Sequence, residues 1–223
     1  MEKEKIAIVL GATGLVGGHL VNQLLSDSTI KEVKIFVRRP VAINHPKLTV
    51  NIVDFNEPVS FQKQVTGDVV FSCMGTTIKT AGSQEAQYTV DYTYQFQFAQ
   101  MASGNKVAQY FLVSSSGANS GSRFFYPRIK GELEEEVKKL PFQNIVIVRP
   151  SLLLGERPER RIGEKFGEKL FKVVGPIIPG LKKYKPILGA QVASAMLNVS
   201  KSNSQNFLQL ELDELFPFST VKQ

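Results

Sequence analysis

The chain has 223 residues, of which 43% are hydrophobic and 21% are charged, as is typical of a globular protein that forms one domain. Its single cysteine, Cys73, and its two histidines argue against an internal disulfide, a metal site or a Cys-His nucleophile. The net charge of +7 is spread along the chain, without a basic helix interleaved with aromatic residues. We therefore expect no nucleic-acid partner.

The amino-terminal apolar stretch, Ile6 to Gly18, follows the acidic residues Glu2 and Glu4 and is interrupted by glycines, unlike an export signal. The longest apolar runs fall short of the roughly 18 residues that a membrane span needs. These observations predict a cytoplasmic protein with no membrane partner. The oligomeric state stays open, with a homodimer as one expected assembly.

Apolar runs rich in β-branched residues alternate with amphipathic stretches, which is the pattern of βαβ units on a parallel sheet. The predicted strands are Ile6 to Leu10, Val33 to Val37, Leu48 to Val53, Asp68 to Ser72, Tyr110 to Ser114, Asn144 to Val148 and Phe207 to Leu212. The predicted helices are Leu15 to Leu25, Gln84 to Met101, Pro127 to Leu140, Ile162 to Val174 and Gly189 to Val199. The predicted fold class is α/β: a Rossmann-type doubly wound, mostly parallel sheet with helices on both faces.

A glycine-rich turn lies between the first predicted strand and the first predicted helix. It reads Gly11-Ala12-Thr13-Gly14-Leu15-Val16-Gly17. The first glycine permits a tight turn, the second lets a pyrophosphate approach the backbone N–H groups, and the third lets the helix pack on the strand. The helix N-terminus adds a partial positive charge toward a diphosphate. The turn therefore predicts a dinucleotide site over residues 11–17.

The second predicted strand ends in Val37-Arg38-Arg39. An NAD site needs a carboxylate at this position for the ribose 2′-OH, whereas guanidinium groups match the 2′-phosphate of NADP. We therefore predict NADP(H) as the cofactor, with Asp54 and Phe55 beside the adenine. The alternative is that Arg38 and Arg39 form a basic surface pair. If they do bind the cofactor, one of the two is expected to face the adenosine pocket.

Tyr126 precedes Lys130 by four residues at the start of a predicted helix, which brings both to one face. In hydride chemistry on a carbonyl, a phenol donates a proton to the developing alkoxide and a nearby ammonium favours the phenolate. The fifth strand ends in Ser114-Ser115-Ser116, and a serine there can hydrogen-bond the substrate oxygen. We predict Ser115, Tyr126 and Lys130 as catalytic residues, with Ser114 and Ser116 as alternatives to Ser115.

Together these motifs resemble the atypical short-chain dehydrogenase/reductases, and in particular the branch that includes the HIV Tat-interacting oxidoreductase. The resemblance runs through nearly the whole chain. It rests on residues 11–17, Val37-Arg38-Arg39, Cys73 to Thr77, Leu112 to Ala118, Tyr126 to Glu132 and Val148 to Ser151.

The resemblance implies a Ser-Tyr-Lys active site at Ser115, Tyr126 and Lys130, with Lys130 also gripping the nicotinamide ribose. It further implies that Met74, Gly75 and Thr76 border the cofactor and that Pro150 and Ser151 approach the nicotinamide. Many relatives place an asparagine in a proton relay where this chain has Asp91, so the resemblance supports cofactor binding more strongly than turnover.

We expect residues 1–223 to form one NAD(P)-binding Rossmann domain, to which residues 151–223 add a small lobe on the substrate side. The predicted function is an NADP(H)-dependent oxidoreductase that acts on a carbonyl or alcohol of a small molecule. The alternative is an NADPH-sensing binding protein with little turnover. Epimerase activity is not expected, because the large carboxyl-terminal substrate domain of the sugar-nucleotide epimerases is lacking.

Overall fold

The computed structural model describes residues 4–155, 182–202 and 205–219 of the chain. Among these residues the main sheet has strands β1 (Lys5–Leu10), β2 (Ile30–Val37), β3 (Leu48–Ile52), β4 (Val69–Ser72), β5 (Gln109–Val113), β6 (Asn144–Arg149) and β9 (Phe207–Glu211). Two short strands, β7 (Leu153–Leu154) and β8 (Ile187–Leu188), form a separate parallel pair. Every predicted strand is present, with ends within a few residues of those expected.

The spatial order of the main sheet is β3-β2-β1-β4-β5-β6-β9, and all neighbouring strands run parallel. The chain moves outward from β1 to β3 and then returns to β4 on the other side of β1. The carboxyl ends of β1 and β4 therefore border the switch point, which is where open parallel sheets bind ligands. The predicted Rossmann-type fold is confirmed.

The described helices are α1 (Leu15–Ser26), α2 (Pro58–Phe61), α3 (Ile78–Ala81), α4 (Gln84–Tyr88), α5 (Tyr94–Gly104), α6 (Phe125–Lys138) and α7 (Gly189–Ser202). A π-helical segment, Thr89–Thr93, joins α4 to α5. The helix predicted over 84–101 therefore forms, with a wider turn in its middle. The helix predicted over Ile162 to Val174 lies outside the described residues.

Two apolar clusters form the core, one on each face of the sheet. In β1, Ala7 and Val9 belong to one cluster, whereas Ile8 and Leu10 belong to the other, because successive strand residues point to opposite faces. Helices α1 and α7 cover the first face, and α2, α5 and α6 cover the second. The burial of each large aliphatic side chain contributes about 1.5–3 kcal/mol.

The carboxyl-terminal part of the chain joins the same core. Helix α7 packs along α1, and β9 pairs with β6. A side chain at Gly155 or Gly189 would overlap that of Leu15 at the start of α1, so these residues lie beside the glycine-rich turn. The lobe expected over residues 151–223 stays a prediction. Every described helix falls short of the length and apolar character that a membrane span requires.

Candidate functional site

The turn after β1 packs tightly against the loop after β4. Gly11 has a φ of +78°, and a Cβ there would lie 2.6 Å from the Cys73 carbonyl carbon and the Met74 nitrogen. A Cβ at Gly17 would overlap the Gly11 carbonyl oxygen. The first glycine is thus required by its backbone conformation and by the neighbouring loop, and Gly17 by the packing of α1 on the turn.

Gly14 has a different role, because its backbone is in an ordinary extended conformation, with φ −81° and ψ 174°. A Cβ there would meet only the Gly11 oxygen, at 3.2 Å, and the Cys73 oxygen, at 3.9 Å. It caps α1 without a side-chain hydrogen bond, and the first turn of α1 has no acidic residue. The N–H groups of that turn, which have no acceptor within the helix, and the helix dipole favour an anion at this point.

The two arginines after β2, Arg38 and Arg39, are exposed. No ion pair joins either of them to another described residue. Asp54, after β3, is also exposed and accepts a hydrogen bond from the Asn56 N–H at 2.9 Å. In contrast, the Phe55 ring is buried and stacks on Tyr94 at 5.5 Å, so Phe55 has its side chain in the core.

The loop after β4 is held on both sides. The Cys73 N–H donates to the Leu10 oxygen at 2.8 Å, which continues the β1–β4 pairing beyond the strand ends. On the other side, the Thr76 N–H donates to Asp91 Oδ2 at 3.0 Å. Met74, Gly75 and Thr76, predicted to border the cofactor, therefore lie at the switch point.

Lys130 lies on the inner face of α6 and is 2% exposed. Its Nζ donates to the Val113 oxygen at the end of β5, at 3.2 Å. The end of β4 lies beside this point, because β4 pairs with β5. Burial raises the pKa of the Cys73 thiol, just after β4, to about 12, and the Lys130 ammonium opposes this shift. Lys130 thus brings a buried positive charge to the carboxyl ends of β4 and β5.

Tyr126 stands one helical turn before Lys130 in the first turn of α6 and is 36% exposed. A side chain at Gly131 would overlap the backbone of Asn119 and Ser120, so only glycine lets α6 approach the serine-rich loop this closely. The Asn119 N–H also donates to the Pro127 oxygen at 2.9 Å. The loop after β5 and the start of α6 are therefore joined beside Tyr126.

The three serines after β5 differ in environment. Ser114 is buried, its N–H donates to the Val148 oxygen at 2.8 Å, and its hydroxyl has no hydrogen-bond partner among the described residues. The Ser115 hydroxyl is partly exposed and donates to the Ser116 oxygen at 3.3 Å. The Ser116 N–H donates to the Pro150 oxygen at 3.2 Å. Among these three serines, Ser114 is the buried one whose hydroxyl has no hydrogen-bond partner among the described residues.

The segment after β6 is fixed by backbone contacts. Pro150 and Ser151 are buried, and the Ser151 hydroxyl donates to the Lys185 oxygen at 2.5 Å. Just before them, Arg149 forms a bidentate ion pair with Glu134 of α6, at 3.0 and 2.6 Å. This pair connects the helix that carries Tyr126 and Lys130 to the strand that leads to Pro150.

Sequence reasoning missed the buried polar residues Gln87, Gln95 and Glu134. Gln87, Asp91 and Gln95 follow one another at four-residue intervals and continue the face that buries Phe98 and Ala102 further along the helix. Polar side chains at helical spacing in line with an apolar face are a signal that could have indicated a buried polar network.

The model of a family described as NAD(P)H-binding matches residues 11–172. Among curated proteins, the mitochondrial protein fmp52 of Aspergillus niger is 37% identical over 181 residues, covering 78% of this chain and 77% of that protein. The mitochondrial protein FMP52-1 of Scheffersomyces stipitis is 32% identical over 212 residues, covering 88% of each. Because both relatives are named as mitochondrial, the predicted cytoplasmic location is wrong.

Solved structures with a similar fold include sugar-nucleotide enzymes and NAD complexes. A UDP-galactose 4-epimerase superposes with a TM-score of 0.69 at 18% identity, covering 92% of this chain and 76% of that one. The Bordetella bronchiseptica enzyme WbmH in complex with NAD⁺ superposes with a TM-score of 0.71 at 13% identity, covering 93% and 75%. At these identities the similarity establishes the fold alone.

Proposed function

The chain belongs to the NAD(P)H-binding family, and from this premise we propose that it is an NADP(H)-dependent oxidoreductase of the short-chain dehydrogenase/reductase type. Its substrate would be a small molecule with a carbonyl or alcohol group. The branch of the Tat-interacting oxidoreductase, with its Ser-Tyr-Lys site, is part of this proposal. The observation that carries it is the buried Lys130 ammonium, one helical turn from Tyr126 and hydrogen-bonded to the end of β5.

Burial of an ammonium group destabilises the folded state by several kcal/mol, because the group loses its hydration, unless its contacts compensate. The Val113 oxygen uses one of its three donors. Ribose hydroxyls are suitable acceptors for the remaining donors. The position of Lys130 near the ends of β4 and β5 therefore supports a role in holding the nicotinamide ribose.

The residues around the cleft at the switch point, between the carboxyl ends of β1 and β4, fit a dinucleotide. The first turn of α1 would hold the diphosphate on its N–H groups, with Gly14 leaving room for close approach. Arg38, exposed at the end of β2, would pair with the 2′-phosphate, so we assign NADP(H) in preference to NAD(H). NADPH, when bound, supplies the hydride that reduces a carbonyl carbon.

In this proposal the Tyr126 hydroxyl donates a proton to the oxygen of the reduced carbonyl, and the Lys130 ammonium offsets the negative charge left on the phenol oxygen. Ser115 is the predicted hydrogen-bond donor to the same substrate oxygen. Ser114 is the strongest alternative, because its buried hydroxyl has no partner among the described residues. Activities of Ser114→Ala, Ser115→Ala and Ser116→Ala would distinguish the three serines.

The test has two stages. Calorimetry first measures the binding of NADPH and NADP⁺ to the wild-type protein, and absence of binding by the folded protein would refute the proposal. NADPH oxidation is then followed over a panel of ketones and aldehydes for wild type, Tyr126→Phe and the control Tyr88→Phe, which removes a phenol of α4 that interacts with Glu132.

We expect Tyr126→Phe to lower kcat by about 100-fold or more while NADPH binding persists, and Tyr88→Phe to behave like wild type. Equal turnover by wild type and Tyr126→Phe would remove the tyrosine from the mechanism. Tight NADPH binding without turnover on the whole panel would favour the alternative, an NADPH-sensing binding protein.

A further inference from the structure

A chain of buried polar side chains lies beneath the loop that follows β4. Its members are Ser72 at the end of β4, Gln87 in α4, Asp91 in the π-helical segment and Gln95 in α5. Each is at least nine-tenths buried; Asp91 is 1% exposed. Residues 87, 91 and 95 share one helix face, which is the face turned toward the sheet.

Two members of this chain hold Thr76 from opposite sides. Asp91 Oδ2 accepts from the Thr76 N–H at 3.0 Å, and Gln87 Nε2 donates to the Thr76 oxygen at 3.3 Å. The Asp91 carboxylate also packs closely against Gly75, the residue before Thr76: a Cβ at Gly75 would lie 3.2 Å from Asp91 Oδ1. Both backbone polar groups of Thr76 are thus fixed by side chains of one helical element.

The other end of the chain fixes the helix to the sheet. Gln95 Nε2 donates to the Asp91 backbone oxygen at 2.8 Å, and Gln95 Oε1 accepts from the Ser72 hydroxyl at 2.7 Å. The hydrogen bonds therefore run from Ser72 through Gln95 and Asp91 to Thr76, and enclose the loop between Ser72 and Thr76. The π-helical turn occurs where Asp91 meets the loop, and such turns are frequent at functional sites.

The opposite side of the loop lies against the glycine-rich turn, where a Cβ at Gly11 would lie 2.6 Å from Cys73 and Met74 backbone atoms. The loop is therefore held between the turn that cradles the diphosphate and the carboxylate of Asp91. Apolar residues at positions 87 and 91 would leave the Thr76 N–H and carbonyl groups without these hydrogen-bond partners. The polar character of these positions is explained by the need for one loop conformation.

We propose that Asp91 is a positioning residue: together with Gln87 it fixes Met74 to Thr76 as one wall of the NADP(H) crevice, and it takes no part in proton transfer. This inference rests on the proposed function, because the crevice is the one assigned to NADP(H). It also explains how aspartate serves at the position where many relatives use an asparagine: in this chain the side chain accepts a hydrogen bond from a backbone N–H.

The first experiment needs no cofactor. Hydrogen exchange of the Thr76 amide is compared in wild type, Asp91→Asn and Asp91→Ala, with the Val70 amide of β4 as the internal reference. The asparagine keeps an acceptor oxygen and the alanine does not. We expect Asp91→Ala to exchange Thr76 about tenfold faster relative to Val70, and Asp91→Asn to stay within about threefold of wild type. Unchanged exchange in Asp91→Ala would overturn the proposal.

The second experiment measures NADPH affinity by calorimetry and the pH profile of kcat. Asp91→Ala should weaken NADPH binding about tenfold, and Asp91→Asn should restore it to within about threefold of wild type with an unaltered pH profile. If Asp91→Asn binds NADPH normally but loses turnover or shifts the pH profile, then Asp91 acts in proton transfer and the proposal fails.

Gln87→Met provides an independent test if Asp91→Ala does not fold, since it removes the donor to the Thr76 oxygen and keeps the side-chain length. It should raise Thr76 exchange and weaken NADPH binding, whereas the control Gln100→Met, exposed on the same helical run, should change neither. Wild type that does not bind NADPH would refute the proposed function, and the exchange data would still decide whether Asp91 and Gln87 hold the loop.

Discussion

The three glycines of the turn after β1 lack side chains for different reasons. Gly11 and Gly17 are required by the protein itself, because a Cβ at either position would overlap backbone atoms of the turn or of the loop after β4. At Gly14 the backbone conformation is ordinary and the single close contact is milder. The proposed diphosphate, which would approach the helix N-terminus from outside, would account for glycine at this position.

Gly14→Ala should separate cofactor binding from stability. We expect NADPH affinity to fall about tenfold or more, because the methyl group occupies the approach to the first-turn N–H groups, while the free energy of unfolding changes by less than about 1 kcal/mol. The control Gly17→Ala should destabilise the protein by about 3 kcal/mol. Calorimetric titration and urea unfolding would check both, and normal NADPH affinity in Gly14→Ala would contradict the assignment of the diphosphate.

Arg38 should determine the preference for NADPH over NADH. A charge-assisted hydrogen bond to the 2′-phosphate is worth about 1.5–3 kcal/mol, so Arg38→Ala should weaken NADPH binding about tenfold or more and leave NADH binding unchanged. Arg39→Ala is the matched comparison, because both arginines are exposed after β2. If neither variant alters the ratio of the two dissociation constants, the pair is a surface feature and the choice of NADP is wrong.

At single residues, sequence reasoning succeeded where spacing along one element fixes the geometry. Tyr126 and Lys130 share a face because four residues make about one helical turn, and the structure places both in α6. The Phe55 ring is buried and stacks on Tyr94, and the expected place of Phe55 beside the adenine stays a prediction. Nothing local to residues 54 and 55 distinguishes that packing from a position beside a ligand.

At the scale of elements, the strands were predictable because central parallel strands are buried on both faces and form continuous apolar runs. The π-helical segment Thr89–Thr93 left no local signal in the sequence, and its Asp91 contacts Thr76 in the loop after β4. The two-residue strands β7 and β8 are likewise too short to leave a periodic pattern. Contacts between elements, and not local propensity, define these features.

The ion pair between Glu134 of α6 and Arg149 of β6 should couple the two elements strongly. The Glu134 hydrogen bonds raise the pKa of the Arg149 guanidinium, and the Glu134 side chain is almost fully buried. Glu134→Leu should destabilise the protein by about 3–5 kcal/mol, because it leaves a mostly buried guanidinium without its main partner. The double variant Glu134→Leu/Arg149→Met should recover most of that loss in urea unfolding.

The outcome that would contradict this coupling is a single variant as stable as wild type. Activity gives a second readout, since α6 carries Tyr126 and Lys130 and β6 leads to Pro150. If the pair positions these elements, the stable double variant should still show a reduced kcat. Full activity in the double variant would mean that the pair serves stability alone.

At the scale of the whole molecule, the two ends of the parallel strands differ: the proposed site lies along the carboxyl edge of the sheet, and structural contacts lie along the opposite, amino edge. The carboxyl edge carries the glycine turn, the loop after β4 and the Tyr126–Lys130 pair. At the opposite edge, the chain segments are tied together around Asp27, which ends α1. Lys201 of α7 pairs with its carboxylate, and Lys47, just before β3, donates to its backbone oxygen at 2.8 Å.

Asp27 should therefore contribute pH-dependent stability without affecting cofactor binding. Burial alone would raise its pKa, but hydrogen bonds from Lys201 and Thr29 lower it below the ordinary value of 3.8. Because the folded state holds the proton less tightly than the unfolded state, the contribution is fully present above about pH 4 and is lost as the pH falls through the folded-state pKa. Asp27→Asn should cost about 1 kcal/mol at pH 7.

Urea unfolding of wild type and Asp27→Asn at pH 7, 5, 4 and about 3 would measure this contribution, with Glu4→Gln, an exposed carboxylate, as the control. The difference between wild type and Asp27→Asn should be constant from pH 7 to 5 and should shrink below about pH 4. NADPH affinity at pH 7 should be the same in both proteins, because Asp27 lies at the edge opposite the cleft. A difference that grows toward acid would mean that the Asp27 carboxylate is better stabilised in the unfolded chain than in the pairing with Lys201.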